Sequence, residues 1–240
     1  MAVRLLIDAG NTRIKWALTS GDDWLRGAVL PVEQAGELPP QFAEIRDIRQ
    51  VWISNVAGEA VMQHLRNIRD SQCHFITARE AQCGVRNSYA NPSQLGSDRW
   101  AALIAAWHLV HGPCLVVNSG TATTVDALSA TGEFIGGLIL PGVELMQRSL
   151  KDTTAQLKSG KGSFHAYPRN TADALFSGAI QASCGAIERQ YALLDGGDMP
   201  VVLSGGASAI LQNHLNLPLQ VVDNLVLQGL LLIAREANAQ

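Results

Sequence analysis

The chain has 240 residues, enough for one large domain or two modest ones, each with its own core. Hydrophobic residues make up 47% and charged residues 16%, the balance of a packed globular protein. The net charge of −3, with no run of Lys or Arg, excludes a general positive field for nucleic acid or an anionic membrane.

In chain order, residues 1–8 reach the carboxylate of Asp8 too early to hold a secretory signal. No stretch offers the roughly 18 apolar residues of a membrane helix. Residues 5–18, Leu5-Leu-Ile-Asp8-Ala9-Gly10-Asn11-Thr12-Arg13-Ile14-Lys15-Trp-Ala-Leu18, read as a β-hairpin, with Gly10 expected to supply a positive φ at the turn. Residues 51–56 form a short strand, and residues 58–69 carry Val61, Met62, Leu65 and Ile68 at helical spacing. Residues 74–77 suit another strand. Residues 82–97, rich in Asn, Gly, Ser and Pro, read as an ordered loop. A buried helix then opens at Asp98 or Arg99 and runs to Val110.

The second half repeats the opening. Residues 114–128, Cys114-Leu-Val-Val-Asn118-Ser-Gly120-Thr121-Ala-Thr123-Thr-Val-Asp126-Ala-Leu128, again read as a hairpin around a Gly. Asp8 and Asn118 lie 118 − 8 = 110 positions apart, near half the chain, which implies a duplicated α/β architecture. A third strand follows at 132–140, a break at Pro141-Gly142 and a helix at 144–150. Residues 158–171 are Gly- and Ser-rich and are expected to be mobile. A long helix at 173–194, a strand at 200–204, a tight turn at Gly205-Gly206, a small strand near 219–222 and a closing helix from Leu225 complete the chain. Hairpins combined with helix-separated strands imply mixed sheets. The expected division is 1–112 and 113–240.

The chain lacks the Gly-x-x-x-x-Gly-Lys-Ser/Thr loop of P-loop nucleotide sites. It offers instead Gly10, Gly120 and the Gly205-Gly206 pair, where backbone N–H groups can approach a polyphosphate, flanked by Asn11, Thr12, Thr121 and Thr123. Asp8, ending an apolar run, needs a partner such as a Mg²⁺-bound water or caps its own turn. Lys15 either reaches a phosphate or is a solvated strand residue. Asp98 either caps its helix or accepts a hydroxyl proton, with Arg99 beside it able to fork a carboxylate. Cys73, Cys83, Cys114 and Cys184 are scattered and form no Cys-x-x-Cys pair. His108 and His111 share a helix face without nearby Cys or carboxylate, so no metal site is read there. The expectation is a thiol-reduced, cytoplasmic protein.

Taken together, Asp8-Ala-Gly-Asn-Thr12, Gly96-Ser-Asp-Arg-Trp100, Gly120-Thr-Ala-Thr-Thr124 and Gly136-Gly-Leu-Ile-Leu-Pro-Gly142 resemble the ordered motifs of type III pantothenate kinases, the family that includes Bvg accessory factors. The resemblance spans nearly the whole chain and is weakest at 20–50 and 155–168. It implies an actin-like ATPase (ASKHA) fold with two similar mixed-sheet α/β domains, and ATP-dependent phosphorylation of pantothenate, the first step of coenzyme A synthesis. By motif position it assigns Asp8, Ala9, Gly10, Asn11, Thr12, Arg13, Ile14 and Lys15 to the first phosphate loop and Thr121 to the second. Gly205 and Gly206 would lie near adenosine, Asp98 would be the general base, and Tyr89, Gly96, Ser97, Asp98 and Arg99 would line the pantothenate pocket. Thr171 would be lent to the neighbour's pocket in a homodimer. Mg²⁺ would accompany ATP, with Asp8 acting directly or through water. Where the family often has an Asp linked to K⁺ or NH₄⁺, this chain has Asn118, which leaves a carbonyl ligand without the charge. The other readings of the same residues are a kinase of this superfold for another small alcohol and a nucleotide-binding regulatory protein without turnover.

Overall fold

The computed structural model describes residues 3–45, 47–68, 73–153, 162–194 and 197–239, with side chains left out for 151–153. The chain divides into two compact units, Met1–Leu109 with Asn224–Gln240, and Val110–Asp223. The C-terminal helix therefore groups with the first half, where the sequence reading had a single cut after residue 112.

In the first unit, β1 (Val3–Ala9), β2 (Arg13–Ser20), β3 (Asp23–Pro31), β4 (Ile48–Asn55) and β5 (Cys73–Phe75) form a sheet in the order β3-β2-β1-β4-β5. β1 pairs antiparallel with β2 and parallel with β4; β2–β3 is antiparallel and β4–β5 parallel. Period-2 alternation sends Leu5, Ile7, Ile14 and Trp16 to one face, where they pack with Leu38 and Phe42 of α1 (Leu38–Ala43) and Leu65 of α2 (Glu59–Arg66). Trp16 and Phe42 meet edge to face, 5.0 Å between centroids. Leu6 and Asp8, one residue out of phase, belong to the opposite face, and α7 (Leu225–Ala239) lies along β1, β2 and β4. The hairpin β6 (Ala81–Gln82) and β7 (Val85–Asn87) precedes α3 (Ser97–Val110), which is buried from Arg99 to Ala106.

The second unit contains β8 (Cys114–Ser119), β9 (Ala122–Leu128), β10 (Glu133–Pro141), α4 (Val143–Thr153), α5 (Thr171–Leu193), β11 (Val201–Ser204), α6 (Ser208–Leu211) and β12 (Leu219–Val221). Its strands run in the order β12-β11-β8-β9-β10. β8 pairs antiparallel with β9 and parallel with β11, β9–β10 is antiparallel, and β11–β12 is parallel. This is the pattern of the first unit, strand for strand. The register agrees too: Asp8 stands opposite Lys15 on β2 and Ser54 on β4, and Asn118 stands opposite Thr124 on β9 and Ser204 on β11. Leu115, Val117 and Val125 build this core with Ile180, Cys184 and Ile187 of α5.

Several expectations change. β3 and α1 occupy residues 23–43, for which no element was read. The expected loop at 82–97 holds β7 and part of β6, closed by an Asn87 side chain whose Oδ1 accepts from the Tyr89 N–H and whose Nδ2 donates to the Pro92 carbonyl. Neither Gly10 nor Gly120 has positive φ; both N–H groups instead close tight turns, to the carbonyls of Arg13 and Ala122. The left-handed glycine among the predicted phosphate loops is Gly205, with φ +98°. Of the segment expected to be mobile, 158–161 lies outside the described residues. Residues 162–170 carry no regular element, and Ser163 donates from both N–H and Oγ to Asp173 Oδ1.

Candidate active site

The strongest concentration of perturbed chemistry lies in the first unit, where the ends of β1 and β4 meet the first turn of α3. Asp8 is half-buried at the end of β1. Loss of water lifts its carboxyl to about 7; the Asp98 carboxylate adds to the rise and Lys15 opposes it. Asp98 is itself raised by burial, against the lowering pull of the Arg99 N–H, the Arg99 charge and its own backbone N–H. Two carboxyl groups each raised by burial, with the Asp98 charge adding to the rise at Asp8 and one ammonium nearby, match a site built for a cationic or proton-bearing ligand.

α3 begins at Ser97, so the capping position is Gly96, whose carbonyl accepts from the Trp100 N–H at 2.9 Å. Asp98 is the second helical residue rather than the cap, and its Oδ1 accepts the Arg99 N–H at 2.8 Å. A Cβ at position 96 would stand 2.6 Å from that same Oδ1, so only glycine leaves the carboxylate where it is. Ser97 Oγ is 2.9 Å from Ser54 Oγ, both buried, which joins β4 to the head of α3 next to Asp8. Arg99, 5% exposed, donates from Nη1 to the Tyr89 hydroxyl at 3.1 Å and stacks its guanidinium 5.8 Å from that ring. Trp100 Nε1 donates to Gln82 Oε1 at 3.0 Å. Asp8, Lys15, Tyr89, Gly96, Ser97, Asp98 and Arg99 are thus gathered in one unit.

In the second unit, Asn118 ends β8 as Asp8 ends β1. A Cβ on Gly205 would lie 2.7 Å from Asn118 Oδ1 and 2.4 Å from the Ser119 carbonyl, so the Gly205-Gly206 turn packs against this strand end. Thr121 accepts the Gly142 N–H through its carbonyl at 2.8 Å. Asn118 and the Gly205-Gly206 turn are therefore in contact, and Thr121 lies in the turn between β8 and β9. Thr171 does not join them: as the first residue of α5 it lines an apolar groove of about 460 Å³ with Met146, Leu150, Leu175 and Gly178.

Ser54, Gln82 and Asn87 were not singled out from the sequence. Ser54 carried the signal that marked Asp8, a polar residue closing an apolar strand. Asp126, 2% exposed on β9 and opposite Val116, two places behind Asn118, carried another, a carboxylate among the apolar residues Val125, Ala127 and Leu128. Gln82 gave none, because its partner Trp100 is set by tertiary contact; Asn87, bonded locally to Tyr89 and Pro92, looked like any other polar residue of a loop.

Among the described residues no group of three or more His, Cys, Asp or Glu could hold a metal ion. The sparse acidic set of Asp8 and Asp98 fits magnesium carried on nucleotide phosphates, which takes one or two carboxylates and keeps several waters.

A duplicated mixed sheet with polar turns at equivalent strand ends defines the actin-like ATPase fold. A structure of MreB 5 of Spiroplasma citri bound to AMPPNP superposes with a TM-score of 0.55 at 11% identity, over 100% of this chain and 98% of that one. A Campylobacter jejuni protein described as a Baf family transcriptional activator reaches 0.66 at 23% identity, over 98% and 100%. The sequence comparison is narrower. The family described as type III pantothenate kinase matches residues 4–193, and the chain belongs to that family. The type III pantothenate kinase of Nitrosospira multiformis is 52% identical over 98% of this chain and 92% of its own length, and that of Aromatoleum aromaticum 49% identical over 97% and 98%.

Proposed function

We propose that this chain transfers the γ-phosphoryl group of ATP to the primary alcohol of pantothenate, the reaction of its family, with Asp98 as the general base. The observation that carries the assignment is Asp98 itself: one carboxylate oxygen is fixed by the Arg99 N–H, and burial raises its basicity. The alcohol oxygen attacks the γ-phosphorus while the bond to the β-phosphate oxygen breaks, releasing ADP, and the alcohol proton passes to Asp98 late in the transfer. Arg99, stacked on Tyr89, presents its fork to the pantothenate carboxylate. Gly96 and Ser97 line the same pocket.

The turn from Ala9 through Asn11 and Thr12 to Arg13 and Ile14, with Lys15 opposite Asp8, offers backbone N–H groups and one ammonium to the phosphates. Within the second unit, Thr121 offers a hydroxyl at the equivalent turn, and the Gly205-Gly206 turn, without side chains, suits an adenosine. Magnesium bound with ATP would supply charge neutralisation, and Asp8 would hold it directly or through water. Asn118 would offer K⁺ or NH₄⁺ an amide oxygen without a charge, so replacing potassium by sodium should change the rate only modestly. Thr171 and the apolar α4–α5 groove suit a homodimer in which each protomer completes its partner's pocket. An enzyme consuming ATP and supplying coenzyme A synthesis belongs in the cytoplasm.

ADP release with pantothenate, measured beside a panel of sugars and acetate, tests the substrate. Turnover with pantothenate is expected, and none would overturn the reading. Asp98→Asn should lower kcat by about two to four powers of ten while nucleotide binding persists. Equal turnover in the variant would reduce Asp98 to a structural role.

A further inference from the structure

The first unit holds a polar cavity of about 350 Å³, bounded by β4, β5, the segment after β5 and the last turns of α7. None of the residues assigned above to ATP or pantothenate lines it. Its floor is aromatic: His74 stacks on Trp52 at 4.4 Å with 19° between ring planes. Trp52 Nε1 is directed at Gln50 Oε1, which also accepts from Arg4, so the platform is held from behind.

The cavity carries both signs of charge. Arg79 has no hydrogen-bond or ion-pair partner among the described residues. Glu236 is fixed on the other side, where Oε1 accepts the Cys83 N–H at 2.8 Å, across a backbone bend in which Cys83 has φ +49°. Arg79 and Glu236 line one concavity yet do not pair with each other. Opposite charges held in one pocket without neutralising each other are complementary to a ligand that carries the same two charges reversed. The flat floor favours a planar side chain.

We propose that this cavity binds a free α-amino acid with a planar side chain: its carboxylate on Arg79, its ammonium on Glu236, and its ring on the Trp52–His74 stack. One wall has a direct route to the catalytic helix, since Gln82, which lines the cavity, accepts from the Trp100 indole two residues after Asp98.

Calorimetric titration of the full chain with L-tryptophan tests the proposal, with L-tryptophanamide and N-acetyl-L-tryptophan as ligands lacking one charge each. Saturable binding of tryptophan is expected, about tenfold or more weaker for either blocked form, because each loses one charge-assisted contact. Arg79→Gln should erase the difference between tryptophan and its amide, and Glu236→Gln that between tryptophan and its N-acetyl form. Both variants should keep pantothenate turnover, which separates this site from the kinase reading. No binding of tryptophan overturns the proposal, as does equal binding of the blocked forms, and neither result depends on the variants folding.

Discussion

Asp8 couples the chemistry of the site to the stability of the chain. Its carboxyl titrates near 3.8 when unfolded and is held up at about 7 in the folded protein, chiefly by burial. Between those values the native state binds the extra proton, so stability falls with rising pH. The contribution is fully present below about pH 4 and lost as pH rises through about 7; Asp98, also raised, acts in the same direction. In the ligand-free protein the Asp8 part amounts to about 2–4 kcal/mol. Asp8→Asn removes it: thermal melts at about pH 5 and about pH 8 should show the variant gaining on the wild type as pH rises. Parallel melting curves would mean that Asp8 is already ionised in the folded state. At this scale the sequence was most informative where a polar residue interrupts an apolar strand, as at Asp8 and Asn118. It was ambiguous at Asp98, since cap and base both suit a carboxylate at a loop–helix junction. The geometry shows that Asp98 lies two residues beyond the capping Gly96, which makes room for its oxygen.

The elements that hold this site depend on one close helix crossing. A Cβ at Gly229 of α7 would fall 1.9 Å from the Ala101 carbonyl oxygen of α3, three residues after Asp98. A methyl group on rigid backbone cannot rotate away, so the two helices must separate. Gly229→Ala gains about 1 kcal/mol of helix propensity and loses more through the forced shift. The expected net loss is about 1–3 kcal/mol, read as a lower Tm by calorimetry. Gly185→Ala in α5, where nothing lies within 4 Å of the added carbon, should instead raise Tm slightly. If both variants melt alike, the α3–α7 approach is not what Gly229 serves. Helices and long strands were legible because their periodicity is intrinsic: residues 98–110, 114–128 and 173–194 all emerged within a few positions. β3 was not, because all but one of its residues are exposed and its pairing comes from β2 alone. The two-to-three-residue strands β6 and β7 are too short to show a period, and the Asn, Gly, Ser and Pro around them read as a loop.

At the scale of the whole molecule the duplication explains both what was readable and what was not. The 110-residue offset between Asp8 and Asn118 is matched by equivalent positions in two sheets of the same strand order, so the repeat was visible in sequence. The return of α7 to the first unit was not, because it depends on contacts between chain ends. A repeated sheet also leaves each unit with its own outer layer, and in the second unit that layer carries the apolar α4–α5 groove with Thr171 at its rim. If that groove joins two protomers and lends Thr171 to the partner's pocket, the two functions separate genetically. Asp98→Asn disables the pocket of its own protomer, and Thr171→Arg blocks the pocket of its partner. In a mixed dimer both lesions then fall on one pocket, and the other is intact. Co-expressing the two inactive variants should restore about a quarter of wild-type activity, since half the dimers are mixed and each has one working site. Activity no greater than the sum of the two parents would place Asp98 and Thr171 in the service of the same protomer.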